Sequence, residues 1–345
     1  MDKMTHTKFN LNNFLMSLSS SLDKTIQNNK HDISYSSKRV AYIALNIASQ
    51  QNLEKEIISD IFSYSIVYAN QIAIKNIESF SFNTSNIKEN ETINNIVKLS
   101  YDIEQSLNIQ NNIIINKDEI ISSFFSKNTS VLFNTISFWY DLTSDYQLPF
   151  YIFNHLFDFT QELEFKKLID LTNTINDIIY KHTKRTYNTS IASRCKSICE
   201  FYGFDSKDTA RMIISTNLIN IGLLHIPSNI LQKELELNSS EFGVMMSVPY
   251  HTNSVLSQVF GFEDIAQIAS SAYEKLNGSG YPYKIQANNL SLKNRIISIL
   301  TIYQALSEKR VYRDAYSKEE IVNILQNNNE DKLDISVIKD ISNIL

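Results

Sequence analysis

Only 6 glycines and 4 prolines occur in 345 residues, about a quarter of what average usage would give. Strand-rich folds need these residues at their tight turns, so the scarcity constrains the chain to helices with short connections and predicts an all-α protein. The length exceeds the ~100–200 residues typical of one domain, which makes two domains the default. Helical periodicity is clearest in RVAYIALNIA (39–48), where Val40, Ile43, Ala44 and Ile47 share one stripe. A second stripe runs through Ile191, Cys195, Ile198 and Cys199. Each is followed by a short break and a further apolar helix, over 56–67 and 207–219.

These two helix pairs raise the question of an internal repeat. Aligning the turn residue Asn52 with Gly203 carries Ser36 to Tyr187, Val40 to Ile191, His31 to His182, and Tyr68-Ala69 to Ile219-Asn220. Identities are few, and two amphipathic hairpins also align on pattern alone, so a duplicated unit and a chance match both fit. Asn is abundant throughout, so it is discounted as a turn signal. The polar stretch 83–91 is nevertheless expected to be a loop of the first bundle.

The formal charge of −5 gives no overall attraction to a nucleic acid polymer or to anionic lipid. No run approaches the ~20 apolar residues that span a bilayer, and the first residues lack the apolar core of a signal peptide. The expectation is a cytoplasmic protein without membrane insertion. Cys195 and Cys199, four apart, share a helix face and read as core packing, since two thiols do not close a zinc site. The six histidines, His6, His31, His155, His182, His225 and His251, show no compact ligand set and read as exposed or locally hydrogen-bonded imidazoles.

The C-terminal half carries a more specific string. Residues 277–282 read NGSGYP, IGLLHIP lies upstream at 221–227, and an apolar helix then leads to Arg310-Val-Tyr-Arg313. Over roughly 182–345 this order and spacing resembles the HD-GYP family, metal-dependent phosphodiesterases of bacterial cyclic di-GMP signalling. The N-terminal half resembles the additional HD-type domain of tandem members, with YSSKRVAYIALNIA at the first-histidine helix and 125–142 at the connecting segment. The resemblance implies two tandem HD-like helical bundles: 1–150, a helical connector over 151–181, and 182–345.

The resemblance also implies metal ions held by imidazole and carboxylate. Its first ligand histidine corresponds to Tyr187, and its His-Asp pair to Ile219 and Asn220. The lysine that follows falls at Leu223, and a later histidine at Val248. The paired histidines fall at Ala272 and Tyr273, with the following acid kept as Glu274. The two aspartates of the D-x-x-D helix correspond to Thr301 and Gln304. In the first half, Ser36 stands at the first histidine and Tyr68-Ala69 at the pair. No metal ion or other cofactor and no catalytic residue is therefore expected. The chain is expected not to be an enzyme but a catalytically inactive signalling adaptor or scaffold.

The alternatives are a non-hydrolysing cyclic di-GMP receptor and an active phosphodiesterase with a relocated metal site using Glu274, Asp264 and a histidine. Ligand contacts are expected from Arg310 and Arg313, whose guanidinium groups suit phosphate, and from Tyr281 and Asn277. Gly278, Ser279, Gly280, Tyr281 and Pro282 form the loop expected to meet signalling proteins, including diguanylate cyclase domains. Homodimerisation is expected by fold analogy.

Overall fold

The helices start where short polar side chains take up the first unpaired backbone N–H groups. Asn10 accepts from the Asn13 amide ahead of α1 (Leu11–Asp23), and Asn90 from the Ile93 amide ahead of a helix at Glu91–Ser106. Asn238 forms a reciprocal capping box with Glu241. Asn, discounted as a turn signal for its abundance, thus marks helix starts here. Its carboxamide does here what Ser and Asp do elsewhere, whatever its background frequency.

The computed structural model describes residues 6–25, 35–72, 90–107, 114, 116–126, 129–156, 159–184, 190–309, 313–327 and 331–345. The expected loop over 83–91 lies outside these up to residue 89. The chain divides into two units, Asn10–Gln161 and Met1–Phe9 with Glu162–Leu345. The architecture is all-α, and the sheet has two short strands, β1 (His6–Phe9) and β2 (Gln161–Glu164).

In the unit Asn10–Gln161, α2 (Ser36–Ser49) packs on α1, α3 (Lys55–Ala69) and α4 (Glu91–Ser106). Its stripe of Val40, Ile43, Ala44 and Ile47 is buried as the spacing predicts. Four shorter helices follow: α5 (Lys117–Phe124), α6 (Ser130–Phe133), α7 (Ile136–Asp141) and α8 (Gln147–His155).

The first helix of the other unit is α9 (Phe165–Thr183), which packs on α11 (Ser206–Leu218) within that unit. The connector expected over 151–181 thus contains a helix of the C-terminal bundle. Next come α10 (Ser190–Phe201), α12 (Ser228–Leu231), α13 (Ser239–Met245), α14 (Val248–Leu256), α15 (Glu263–Ser270) and α16 (Leu292–Ser307). The last two are α17 (Lys318–Asn327) and α18 (Ile335–Ile341). Cys195 and Cys199 are buried in α10.

The aligned turns share their backbone geometry. Asn52 has φ 48° and Gly203 has φ 71°, both in the left-handed region that Gly and Asn enter most readily. The helices after them start at Lys55 and Ser206, so the same offset relates turn to turn and helix to helix. Among the described residues, no helix is long and apolar enough to cross a membrane.

Candidate functional site

Four segments distant in sequence meet in the C-terminal unit around a cavity of about 170 Å³. The end of α9 brings Tyr180, the turn after α11 brings Asn220, the chain after α15 brings Ala272, Tyr273 and Lys275, and α16 with its end brings Thr301, Gln304 and Glu308. Asn220 is fixed by a close approach behind it. The Gly222 amide donates to the Thr252 hydroxyl at 3.2 Å, which donates to the Ile219 carbonyl at 3.0 Å. A Cβ on Gly222 would run into the Val248 carbonyl.

The Tyr180 hydroxyl is the hub of the cavity. It accepts from the side-chain amides of Asn220, at 3.3 Å, and of Gln304, and it donates to the Glu308 carboxylate at 3.2 Å. Glu308 is only 3% exposed. Lys275 supplies a cation, and burial, reinforced by the nearby Lys332 and opposed by Glu274, lowers its ammonium to about 8. Leu223, where the resemblance puts a lysine, instead packs with Ile226 and Val248 in an apolar cluster.

Glu274, the retained acid, secures the loop after the cavity. Its 1%-exposed carboxylate accepts from the backbone amides of Tyr283 at 2.8 Å and Ile285 at 2.9 Å. A Cβ on Gly280 would run into the Glu274 backbone, so only glycine lets the loop lie this close. Tyr281, before a cis Pro282, stacks on Tyr273 with ring centroids 5.2 Å apart, and the Phe242 ring meets Tyr281 edge-on at 6.4 Å.

Of the residues expected to hold a ligand, Asn277, Tyr281 and Arg313 are not among those that line this cavity. Asn277 donates to Asp331 at 2.8 Å and accepts from the Ser279 amide at 3.0 Å. Arg313 donates to the carbonyls of Ala305 and Leu306 at the end of α16, at 2.5 and 3.1 Å, and lies over the Tyr316 ring. Tyr281 joins the cavity through Tyr273. Arg310 and Tyr187 lie outside the described residues, as does His31.

Sequence reasoning missed Tyr180, Lys275 and Glu308 as members of one site. The residues at the counted metal positions offer amides, hydroxyls and apolar groups. Among the described residues, no group of three or more His, Cys, Asp or Glu is placed to hold a metal ion. Asp264 is paired with Arg211, and Glu274 with the loop amides. This donor set does not fit the metal ions that the resemblance implies, and no step through them is derived. His225 and His251 stack face to face at 4.5 Å, and His155 stacks on Tyr151 at 3.9 Å.

The N-terminal unit carries a buried polar cluster at the corresponding place, beside Ser36 and Ala69. Asp23 accepts from the Ser37 amide at 3.2 Å and from the Asn70 amide at 3.2 Å. Burial raises its carboxyl to about 6, against the opposing pull of those hydrogen bonds and of Lys38. Lys38 is lowered to about 8 by the same burial and donates to Ser20 at 2.9 Å. Tyr68 stands between Tyr64 and Tyr101 in edge-to-face contacts.

Residues 168–337 match the HD domain family, so the fold and the cleft define an HD domain. Over 170 residues the chain is 28% identical to the 3'3'-cGAMP-specific phosphodiesterase 1 of Vibrio cholerae, covering 49% of this chain and 39% of that protein. It is 30% identical over 132 residues to a cyclic di-GMP phosphodiesterase of the same organism, covering 36% of this chain and 27% of the relative. The matches thus span well under half the length of these relatives. A crystal structure of a cyclic GMP-AMP-specific phosphodiesterase of V. cholerae superposes with a TM-score of 0.59 at 15% identity, covering 98% of both chains. The matched segment contains the NGSGYP loop, and the comparisons support the resemblance of this part of the chain to the HD-GYP family.

The expectation that the chain is not an enzyme is overturned by these comparisons, because the relatives are named phosphodiesterases. Counting lost imidazoles and carboxylates speaks to one ligand set and not to the activity of the domain.

Proposed function

We propose that the C-terminal unit acts on a cyclic dinucleotide as a phosphodiesterase-type domain, with the ligand seated at the Tyr180–Glu308 cavity. The observation that carries this reading is the convergence of Asn220, Ala272, Tyr273, Thr301 and Gln304 on one cleft. These are the positions at which the family resemblance places its reaction centre, and Lys275 adds a cation suited to a phosphodiester. The names of the relatives supply the ligand class, cyclic di-GMP or 3'3'-cGAMP.

The cleft residues bind and orient. Lys275 faces the phosphate charge, the amides of Asn220 and Gln304 are held in place by Tyr180, and Tyr273 offers a ring face. The test is a thermal-shift titration of the full chain with each dinucleotide, with chromatography of the same samples, incubated with and without manganese, to read hydrolysis. A ligand that binds the folded state raises the melting temperature by mass action. The reading expects a saturable rise that Lys275→Met abolishes, and linear dinucleotide among the products. No shift with either ligand at saturating concentration overturns it.

A further inference from the structure

In the N-terminal unit, α8 is apolar on two opposite faces. Leu148 and Ile152 are buried, whereas Tyr146, Phe150 and Phe153 are 69%, 49% and 60% exposed. Spacings of four and then three residues put these rings on one stripe, roughly opposite Leu148. The Tyr146 and Phe150 rings stack with centroids 5.7 Å apart. α7 repeats the arrangement, with Phe138 and Trp139 buried and Ile136 and Tyr140 more than half exposed. Both helices rest on the Tyr42 ring of α2, through Phe138 at 5.6 Å and Tyr151 at 4.7 Å, which sets the outward stripes side by side. A helix that is apolar all round is normally covered on both sides.

The size of this face points to what covers it. With ~200 Å² for a whole side chain of this kind, the exposed parts of the five outward residues leave about 600 Å² of apolar surface. Two such faces brought together bury about 1,200 Å², where stable interfaces between subunits begin. The exposed residues beside the stripe on α8, Gln147 and Asn154, carry no charge. Asp145 stands at the start of the helix. In an antiparallel pairing centred on Phe150, its two copies lie about 15 Å apart along the axis, beyond the ~8 Å screening length at physiological salt.

We infer that the α7–α8 face pairs with the same face of a second copy of this chain about a two-fold axis. The two α8 helices run antiparallel, so Phe150 meets its own counterpart near the axis and Tyr146 of each copy lies toward Phe153 of the other. The helix dipoles then oppose one another, which favours this direction. The pairing does not depend on what the C-terminal cavity binds, and it gives the homodimer expected by fold analogy a surface.

The test is sedimentation equilibrium of the full chain from about 1 to 100 µM, a range that reaches the weak end for an interface of this size. A single monomer–dimer equilibrium is expected. Joint Phe150→Glu and Phe153→Glu substitution, which sets like charges against one another at the axis, should raise the dissociation constant at least about tenfold, as for the loss of an aromatic anchor. Phe150→Ser alone should weaken the dimer in the same direction, and it reads the face should the double variant fail to fold. Phe201→Glu, at a residue 56% exposed in the other unit, should leave the constant unchanged.

A chain that stays monomeric throughout the range overturns the inference, as does a mass that grows past two copies. A dimer that none of the α8 substitutions weakens, or that Phe201→Glu weakens as much, overturns it as well, because the copies then meet through another face.

Discussion

The Tyr180 hydroxyl donates to the Glu308 carboxylate across 3.2 Å, tying the end of α9 to the residue that closes α16, 128 positions later. The same oxygen accepts the amides of Asn220 and Gln304. One phenol thus orders three side chains of the cavity, each of them 8% exposed or less.

Tyr180→Phe keeps the ring and removes that hub. Leaving a buried polar partner unsatisfied costs about 1–3 kcal/mol. Urea denaturation should show a loss of that size with the helical circular dichroism unchanged. A loss below about 0.5 kcal/mol, the range of an ordinary surface substitution, would contradict the hub.

Glu274→Ala removes the acceptor for the Tyr283 and Ile285 amides. A hydrogen bond to a charged group contributes about 1.5–3 kcal/mol, so the loss should reach at least ~2 kcal/mol. Glu274→Gln, which keeps one carbonyl oxygen, should lose less. Hydrogen exchange at those two amides reads the effect locally, and unchanged protection in the alanine variant counts against the assignment.

Gly280→Ala drives a Cβ into the Glu274 backbone. Overpacking of this kind costs about 1–3 kcal/mol, and the shift would move Lys275 at the cavity wall. The expected result is a lower melting temperature together with weaker dinucleotide affinity. An alanine protein equal to wild type in both would show that the loop can step aside.

Asp23 gives the N-terminal unit a pH dependence. Its folded value of about 6 lies above its ordinary 3.8, so the folded state holds this proton more tightly than the unfolded chain. Stability from this group is fully present below about 4 and is lost as pH rises through about 6. Over that window Lys38, lowered only to about 8, stays charged. Melting curves from pH 4 to 7 should show this decline in wild type and a flatter profile in Asp23→Asn, and identical profiles would count against it.

Much of the architecture is legible in the sequence because it depends on local periodicity. The buried stripe of α2 and the two helix pairs follow from apolar spacing, and the turns at Asn52 and Gly203 from residues that tolerate positive φ. The strands His6–Phe9 and Gln161–Glu164 leave no such signal, since HTKF and QELE show no apolar alternation and pair across about 150 residues.

The candidate site is legible only in part for a related reason. Counting from the resemblance puts Asn220, Tyr273 and Gln304 at one place, and they do meet. Tyr180 sits seven residues before the first counted position, on a helix read as a connector, and no motif marks it. Lys275 and Glu308 are ordinary charged residues until the fold buries them. Arg313 looked suited to phosphate, but its donors lie against the carbonyls at the end of α16.

A crystal structure of the full chain with cyclic di-GMP tests the central claim most directly. The account predicts the ligand at the cavity, with a phosphate near Lys275. A ligand bound elsewhere, with the cavity around Tyr180 still closed on itself, would contradict it.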